Sequence, residues 1–252
     1  MKDSKGVSVP ADPNAVLYPV ESDKELENSV PYREAVGSLM FLAIVSRSDI
    51  AYAVNSVSRY LNRHSRSHWQ AVKRIFAYLV TTISVGKEYS AFDNKLELVG
   101  FSDADYAGDI ETRRSTTGYV FILANGAVTW SSQRQKLVSM STTESEYIAA
   151  SCAAREFVWL RNLLNGIGHR CVKPTVLHDD NQSTFRLVKN PQFHKRTKHI
   201  DVRYYYIREK VENDEIVVEY VRTECQRADV FTKALAKDLF KRMCTSIGLC
   251  EE

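Results

Sequence analysis

The dipeptide Asn125-Gly126 lies between two short apolar runs, residues 118–123 and 127–131. Asn and Gly tolerate the positive φ angles that a two-residue hairpin turn requires. The pair therefore predicts a β-hairpin in which these two runs are the strands, so any fold proposed for the chain must contain a sheet that includes them.

The rest of the chain alternates between strand-like and helix-like periodicity. Further strands are predicted at 96–103, 174–179 and 215–221, and helices at 142–164, 181–188, 197–212 and 228–247. A capping box formed by Ser141 and Glu144 begins the long helix, and Gly166 or Gly168 ends it. This order predicts the α/β class, with helices packed on a mixed five-stranded sheet.

The first third of the chain has a different character. Three prolines precede residue 30, which favours an extended leader or linker over residues 1–30. Residues 31–90 are predicted to form a small helical subdomain with three helices before residue 81, the third beginning at a Ser67–Gln70 capping box. Residues 95–249 would form the α/β domain.

Composition excludes few classes of function. The chain has 252 residues and is 44% hydrophobic, which is enough for a packed core, and no apolar run reaches membrane-spanning length, so no membrane partner is expected. Five cysteines without CxxC spacing predict reduced thiols and no zinc site. The net charge of +3 permits a polyanionic partner without requiring one.

A basic stretch runs from residue 47 to residue 74, with six Lys or Arg residues and one Asp. Such a stretch is either a solvated helix face or a surface that contacts nucleic acid. The candidates for contact with a nucleic-acid backbone are Arg63, Arg66, Lys73 and Arg74.

Four acidic residues lie where predicted strands end or helices begin: Asp103, Glu146, Asp180 and Asp229. A mixed sheet could bring them into one pocket, where carboxylates would bind hard divalent cations such as Mg²⁺. Two such ions can hold the attacking water and the leaving oxygen of a phosphodiester. Each acid also has a structural alternative, since Asp caps turns and helices and Glu is often a solvated helix charge.

Eight motifs occur in order along the second part of the chain. They are Phe101-Ser-Asp-Ala-Asp-Tyr-Ala-Gly-Asp109, Arg114-Ser-Thr-Thr-Gly-Tyr119, Thr129-Trp-Ser-Ser-Gln-Arg-Gln135, Ser141-Thr-Thr-Glu-Ser-Glu-Tyr147, Asp180-Asn-Gln-Ser183, Asn190-Pro191, Arg196-Thr-Lys-His-Ile-Asp201 and Gln226-Arg-Ala-Asp-Val-Phe-Thr-Lys233. Together they resemble the RNase H domain of copia-type LTR retrotransposon Pol polyproteins. Residues 32–39 and 69–79 resemble the segment that follows the reverse-transcriptase palm, so the resemblance covers about residues 8–249.

The resemblance implies an RNase H-like fold and a ribonuclease that cuts the RNA strand of RNA–DNA hybrids with two Mg²⁺ ions, or Mn²⁺ in their place. The four family acids match Asp103, Glu146, Asp180 and Asp229, with Glu144 as the rival of Glu146. For such a nuclease, the candidate phosphate contacts in the second part of the chain are Arg113, Arg114, Lys195, Arg196 and Lys198, with plain surface charge as the alternative for each.

The resemblance further implies partners and a location. These are an RNA–DNA hybrid and the remainder of the Pol polyprotein, namely reverse-transcriptase palm and fingers and integrase, in a cytoplasmic virus-like particle or in the nucleus. Many RNases H carry a histidine before the last acid, but residues 221–228 contain none. A Tyr-x-Asp-Asp turn is also absent, so no polymerase activity is expected.

Two alternatives to this hypothesis stay open at the level of sequence. The chain could be a truncated or domesticated fragment that binds nucleic acid or a partner without cutting. It could also be an integrase-type nuclease on a related fold, which fits less well because a fourth acid in Gln-Arg-Ala-Asp229 would not be expected there.

Overall fold

The computed structural model describes residues 6–22, 26–27, 29–90, 96–189 and 206–251. The strands in this part of the chain are β1 (Val85–Lys87), β2 (Val99–Asp105), β3 (Thr116–Leu123), β4 (Gly126–Arg134), β5 (Thr175–Asp179), β6 (Ile216–Tyr220) and β7 (Leu249–Glu251). The helices are α1 (Tyr32–Val45), α2 (Ala51–Ser58), α3 (Arg66–Thr81), α4 (Thr142–Gly166), α5 (Gln182–Lys189), α6 (206–212) and α7 (Lys237–Ser246).

Five of these strands form one mixed sheet in the order β4-β3-β2-β5-β6. Strands β2, β3 and β4 pair antiparallel, and β5 lies parallel to both β2 and β6. The α/β class with a mixed five-stranded sheet, expected from the sequence, is therefore confirmed.

The hairpin between β3 and β4 is present, but its turn lies one residue earlier than predicted. Leu123 pairs with Gly126, so the two turn residues are Ala124 and Asn125, with φ angles of 52° and 64°. Gly126 begins the next strand, where a Cβ atom would lie 2.5 Å from the ring of Tyr89. This glycine is required by packing and not by the turn.

Helices cover both faces of the sheet because successive strand residues point to opposite sides. On one side Phe121 and Leu177 pack against α4, through Tyr147, Ala150 and Phe157. On the other side the neighbouring residues Val120 and Ile122 pack with α1, α2, α3 and α7 in a second cluster. The sheet is thus the middle layer of three.

The N-terminal helices contact the sheet through specific hydrogen bonds as well as through this apolar cluster. The indole Nε1 of Trp130 on β4 donates to the carbonyl of Ala43 at 2.8 Å, and Asn55 on α2 donates to Ser132 on β4 at 3.3 Å. The division of the chain into a leader, residues 31–90 and residues 95–249 stays a prediction.

Helix boundaries differ from the sequence prediction at two places. The capping box of helix α3 lies two residues earlier than predicted, at Ser65 and His68, where the His68 ring Nδ1 accepts from the Ser65 amide at 3.0 Å. Residues 228–247 are not one helix, since a 3₁₀ turn at Arg227–Phe231 precedes α7. The predicted helix 197–212 is described only from residue 206.

Strands β1 and β7 form a small antiparallel pair that the sequence did not predict. Residues 6–22 have no regular structure. They pack on the helices through Val9 and through a hydrogen bond that the Tyr60 hydroxyl donates to the Leu17 carbonyl at 2.8 Å. Within the described ranges, every helix is too short or too polar to cross a membrane.

Candidate metal centre

Strands β2 and β5 place two of the predicted acids side by side. They are parallel neighbours in which Phe101 pairs with His178, so the residues two positions further along, Asp103 and Asp180, reach the same end of the sheet. Helix α4 begins beside this end and contributes Glu146. One carboxylate oxygen from each of Asp103, Glu146 and Asp180 lies within 4.8 Å of the others.

The structure separates Glu146 from its rival Glu144. The Glu144 amide donates to the Ser141 hydroxyl at 3.1 Å, and the Glu144 carboxylate accepts from the Met140 amide at 2.7 Å, so this residue serves the helix start. Glu146 is 7% exposed, and its Oε2 atom is buried without a hydrogen-bond partner among the described residues. Of these two glutamates, Glu146 is the one whose carboxylate lies in the cluster with Asp103 and Asp180.

Asp179 and Asp180 also have different roles in the local structure. The Asp179 carboxylate is buried beneath the site, where it accepts from the Asn181 amide at 2.8 Å and from the Ser102 hydroxyl at 3.4 Å. Asp180 is partly exposed and accepts from the Thr223 hydroxyl at 2.8 Å. The geometry therefore favours Asp180 as a ligand and Asp179 as a residue that shapes the turn after β5.

Asp229 lies beside Asp103 in the 3₁₀ turn that follows β6, and its carboxyl interacts directly with that of Asp103. Thr232 donates from its hydroxyl to Asp103. The ammonium of Lys233 is 2.9 Å from Oδ1 of Asp229 and 3.9 Å from Oδ2 of Asp103. Sequence reasoning assigned no role to Lys233, although its position four residues after Asp229 was a signal for an ion pair.

The 3₁₀ turn reaches the sheet because β3 carries a glycine at the contact point. A Cβ atom on Gly118 would lie 2.6 Å from Cγ2 of Thr232 and 2.8 Å from Cβ of Phe231. Gly118 pairs with Asp103 across β2 and β3, so its missing side chain allows the turn with Asp229 to approach Asp103. The sequence motif contained this glycine, but not the reason for it.

Burial and mutual repulsion raise the pKa values of the clustered acids. Burial raises the pKa of Glu146 well above its usual value, with the charges of Asp103, Asp179 and Asp180 adding to the effect. Burial also raises the pKa of Asp103, against which the Lys233 charge acts.

Two further acids show the same effect with pKa values near neutrality. Burial, together with the charges of neighbouring carboxylates, raises the pKa of Asp179 and of Asp229 to about 7. Such a cluster is unfavourable in its ionised form without a compensating cation.

The residues present fit a divalent metal ion. Carboxylate oxygens are the ligands that Mg²⁺ and Mn²⁺ prefer; one Glu146 oxygen lies within 4.8 Å of oxygens of Asp103 and Asp180, and Glu146 Oε2 is buried without a hydrogen-bond partner among the described residues. A bound cation would satisfy this oxygen and remove the repulsion among the acids. The assignment of the four acids as metal ligands stays a prediction.

Arg113 and Arg114 lie in the loop between β2 and β3. Arg113 is exposed and has a φ of 55°, in the left-handed region. Asp109 fixes this loop through ion pairs with Arg59 on α2 at 3.1 Å and with Arg134 on β4 at 2.9 Å. The other predicted phosphate contacts in this domain, Lys195, Arg196 and Lys198, lie outside the described residues.

The four basic residues predicted on the N-terminal helices fall into two groups. Arg74 binds the N-terminal segment, with its Nε 3.2 Å from the Val9 carbonyl and an ion pair to Asp12 at 3.4 Å. Arg63 contacts the Val20 carbonyl at 3.5 Å. Arg66 is exposed and Lys73 is half-buried, and these two are the better candidates for contact with a polyanion.

The strand order, together with acids at adjacent ends of β2 and β5 and at the start of α4, defines an RNase H-like protein. No protein-family model matches the chain. It is 41% identical over 255 residues to the retrovirus-related Pol polyprotein from transposon TNT 1-94 of Nicotiana tabacum, and 38% identical over 246 residues to that from transposon RE1 of Arabidopsis thaliana. These alignments cover 99% and 98% of the chain.

The chain belongs to the copia-type retrotransposon Pol polyproteins. It spans about a fifth of the length of these two relatives, 19% and 17%. Among solved structures, it is similar to the N-terminal RNase H domain of a Mycobacterium tuberculosis protein, with a TM-score of 0.41 and 13% identity. That similarity covers 60% of this chain and 99% of the solved one.

Proposed function

We propose that the chain is the RNase H-type endonuclease of a retroelement and hydrolyses the RNA strand of RNA–DNA hybrids with two divalent ions, Mg²⁺ or Mn²⁺. An RNase H-like function in a retroelement follows from the fold and the Pol relatives. The observation that carries the finer proposal is the convergence of Asp103, Glu146 and Asp180 within 4.8 Å of one another, with Asp229 beside them.

Each acid has a definite part in the proposed reaction. Asp103 lies within 4.8 Å of Glu146 and Asp180 and also interacts directly with Asp229, so it would contribute to both ion positions. Glu146 and Asp180 would complete one position and Asp229 the second. When bound, two divalent ions supply an activated water and neutralise charge on the phosphodiester during hydrolysis.

The residues around the acids hold them in place for this chemistry. Thr232 orients Asp103, and Thr223 orients Asp180 through hydrogen bonds to their carboxylates. Because the cluster lies at the end of a packed sheet, its carboxylates are positioned before substrate binds, which limits the reorganisation that catalysis requires.

The proposed substrate is an RNA–DNA hybrid because the family resemblance implies it. Recognition would rest on backbone shape and on 2′-hydroxyl groups and not on base edges. Arg113 is exposed on the loop after β2, and we propose it as a phosphate contact. Association with the reverse-transcriptase palm and fingers or with integrase stays a prediction.

The test is a cleavage assay on an RNA–DNA hybrid labelled at the 5′ end of the RNA. We expect cleavage with Mg²⁺ or Mn²⁺ and none with EDTA, and no cleavage of single-stranded RNA or of duplex DNA. Asp180→Asn, which removes one ligand charge while keeping the size of the side chain, should abolish cleavage.

A second outcome would identify the alternative function. If the folded chain binds the hybrid but does not cut it with either metal, the chain is a non-catalytic nucleic-acid-binding fragment. That result would overturn the proposal even though the fold and the family relationship would stand.

A further inference from the structure

Lys233 places a positive charge between two acids of the proposed metal centre. Its ammonium is 2.9 Å from Asp229 and 3.9 Å from Asp103, and Asp103 also belongs to the cluster in which one oxygen each of Asp103, Glu146 and Asp180 lie within 4.8 Å of one another. Among the described residues, the first proposed ion position is formed by Asp103, Glu146 and Asp180. The second, formed by Asp103 and Asp229, already contacts the ammonium of Lys233.

The ammonium and a divalent ion cannot share the carboxylates of Asp103 and Asp229. A divalent ion binds carboxylate oxygens at about 2.0–2.6 Å, so it would have to use the same oxygens that Lys233 contacts. Two positive charges at this spacing also repel each other strongly in a partly buried site. Binding of an ion here requires that Lys233 move away.

The Lys233 side chain has room to do so. It is 40% exposed, whereas the carboxyl groups that it contacts on Asp103 and Asp229 are 4% and 3% exposed. Because its stem reaches the acids from the solvent side, rotation about its side-chain bonds would carry the ammonium into water without moving the backbone.

We propose that Lys233 is a tethered counter-cation that holds the position between Asp103 and Asp229 and must be displaced before a divalent ion binds there. This inference rests on the proposed metal-dependent function and adds regulation to it. The chain would load its ions unequally, first at Asp103, Glu146 and Asp180 and then, at higher concentration, at Asp103 and Asp229. Lys233 would thus set the concentration of metal at which the second position fills.

The test measures Mn²⁺ binding to the whole chain by electron paramagnetic resonance, without substrate. For the unchanged chain we expect a first Mn²⁺ bound at least about tenfold more tightly than a second, a factor that corresponds to about 1.4 kcal/mol. Lys233→Met should tighten the second site by about tenfold, whereas Lys233→Arg, which keeps the charge, should leave it weak. Lys241→Met, which removes an exposed lysine from α7, is the matched control and should change neither site.

A second variant and a measurement of thermal unfolding distinguish the loss of the Lys233 charge from misfolding of the chain. Lys233→Gln keeps a donor for Asp229 without the charge, and it should also tighten the second site. In EDTA, Lys233→Met should unfold at a lower temperature than Lys241→Met, because two buried acids lose their cation. The proposal is overturned if the Lys233→Met and Lys233→Gln variants bind the second Mn²⁺ no more tightly than the control.

The same titration separates this inference from the proposed function. If Glu146→Gln does not weaken the first Mn²⁺ site, then the metal centre itself is wrong and the inference falls with it. If Glu146→Gln weakens the first site but the Lys233 variants leave the second unchanged, the metal centre stands and the role of Lys233 is refuted.

Discussion

Replacing Asp103 by asparagine should stabilise the metal-free chain while it removes metal-dependent cleavage. Asp103 is 3% exposed, and its carboxyl lies among those of Glu146, Asp180 and Asp229. Asparagine has nearly the same shape, and its carbonyl oxygen still accepts from Thr232, but it carries no charge. The fold should therefore be kept, and part of the repulsion within the cluster should disappear.

The size of this effect depends on pH. The pKa of Asp229 is raised from 3.8 to about 7, chiefly by burial and next by the charge of Asp103. One pKa unit corresponds to about 1.4 kcal/mol. Removing the Asp103 charge removes its repulsion of Asp229 but also its attraction to the partly exposed Lys233, so we expect Asp103→Asn to raise the free energy of unfolding by about 1–2 kcal/mol. This gain should appear at pH 8, above the pKa of about 7 for Asp229.

The sign of the pH dependence follows from the direction of the shift. A carboxyl whose pKa is higher in the folded state contributes stability that is fully present below its unfolded value near 4, and that is lost as the pH rises through its folded value near 7. The unchanged chain in EDTA should therefore lose stability between pH 5 and pH 8. Asp103→Asn should lose less, and at pH 5 the two should differ little.

The assay is urea unfolding in EDTA, followed by circular dichroism at pH 5 and pH 8. Asp214→Asn, in an exposed turn where the backbone has a φ of 53°, is the control and should change little at either pH. If Asp103→Asn is less stable than the unchanged chain at pH 8, or if its gain is as large at pH 5, then the carboxylates do not repel one another as argued.

The remaining predictions concern nucleic-acid contact and packing. Replacing Arg66 and Lys73 by alanine should weaken hybrid binding and make the fall of log affinity with log salt less steep, by up to about 2 in the magnitude of the slope. Fluorescence anisotropy at several salt concentrations measures this, and an unchanged slope would assign these charges to solubility alone. Replacing Arg63 and Arg74 should chiefly lower the unfolding temperature in calorimetry, because they hold the N-terminal segment. Gly118→Ala should cost about 1–3 kcal/mol in urea unfolding and reduce cleavage, whereas full activity would contradict the close approach of the turn.

The sequence predicted the fold class because its strands and its long helix have clear periodicities. Each acid that the structure brings together also had a local signal: Asp103 and Asp180 follow strands, and the capping position of Glu144 left Glu146 for the site. Such features depend on residues close in the chain, so a sequence shows them directly.

Features that depend on distant contacts could not be predicted in this way. Strands β1 and β7 are three residues long, too short for periodicity, and they form by pairing two segments that lie far apart in the sequence. Gly126 was assigned to the turn, but its role is to admit Tyr89, a contact that no local pattern reveals. The i,i+4 spacing of Asp229 and Lys233 was a local signal for their ion pair, but the approach of the Lys233 ammonium to Asp103 joins distant parts of the chain and no local pattern reveals it.

The central claim is that Glu146, and not Glu144, completes a metal-dependent cleavage site. The most direct measurement is the single-turnover rate of hybrid cleavage in Mg²⁺ by the unchanged chain and by the Glu146→Gln and Glu144→Gln variants. We predict a loss of at least about a hundredfold for Glu146→Gln, because a buried ligand charge is removed, and little change for Glu144→Gln, because glutamine also serves a capping box. Equal rates for the two variants, or a greater loss for Glu144→Gln, would contradict the proposed site.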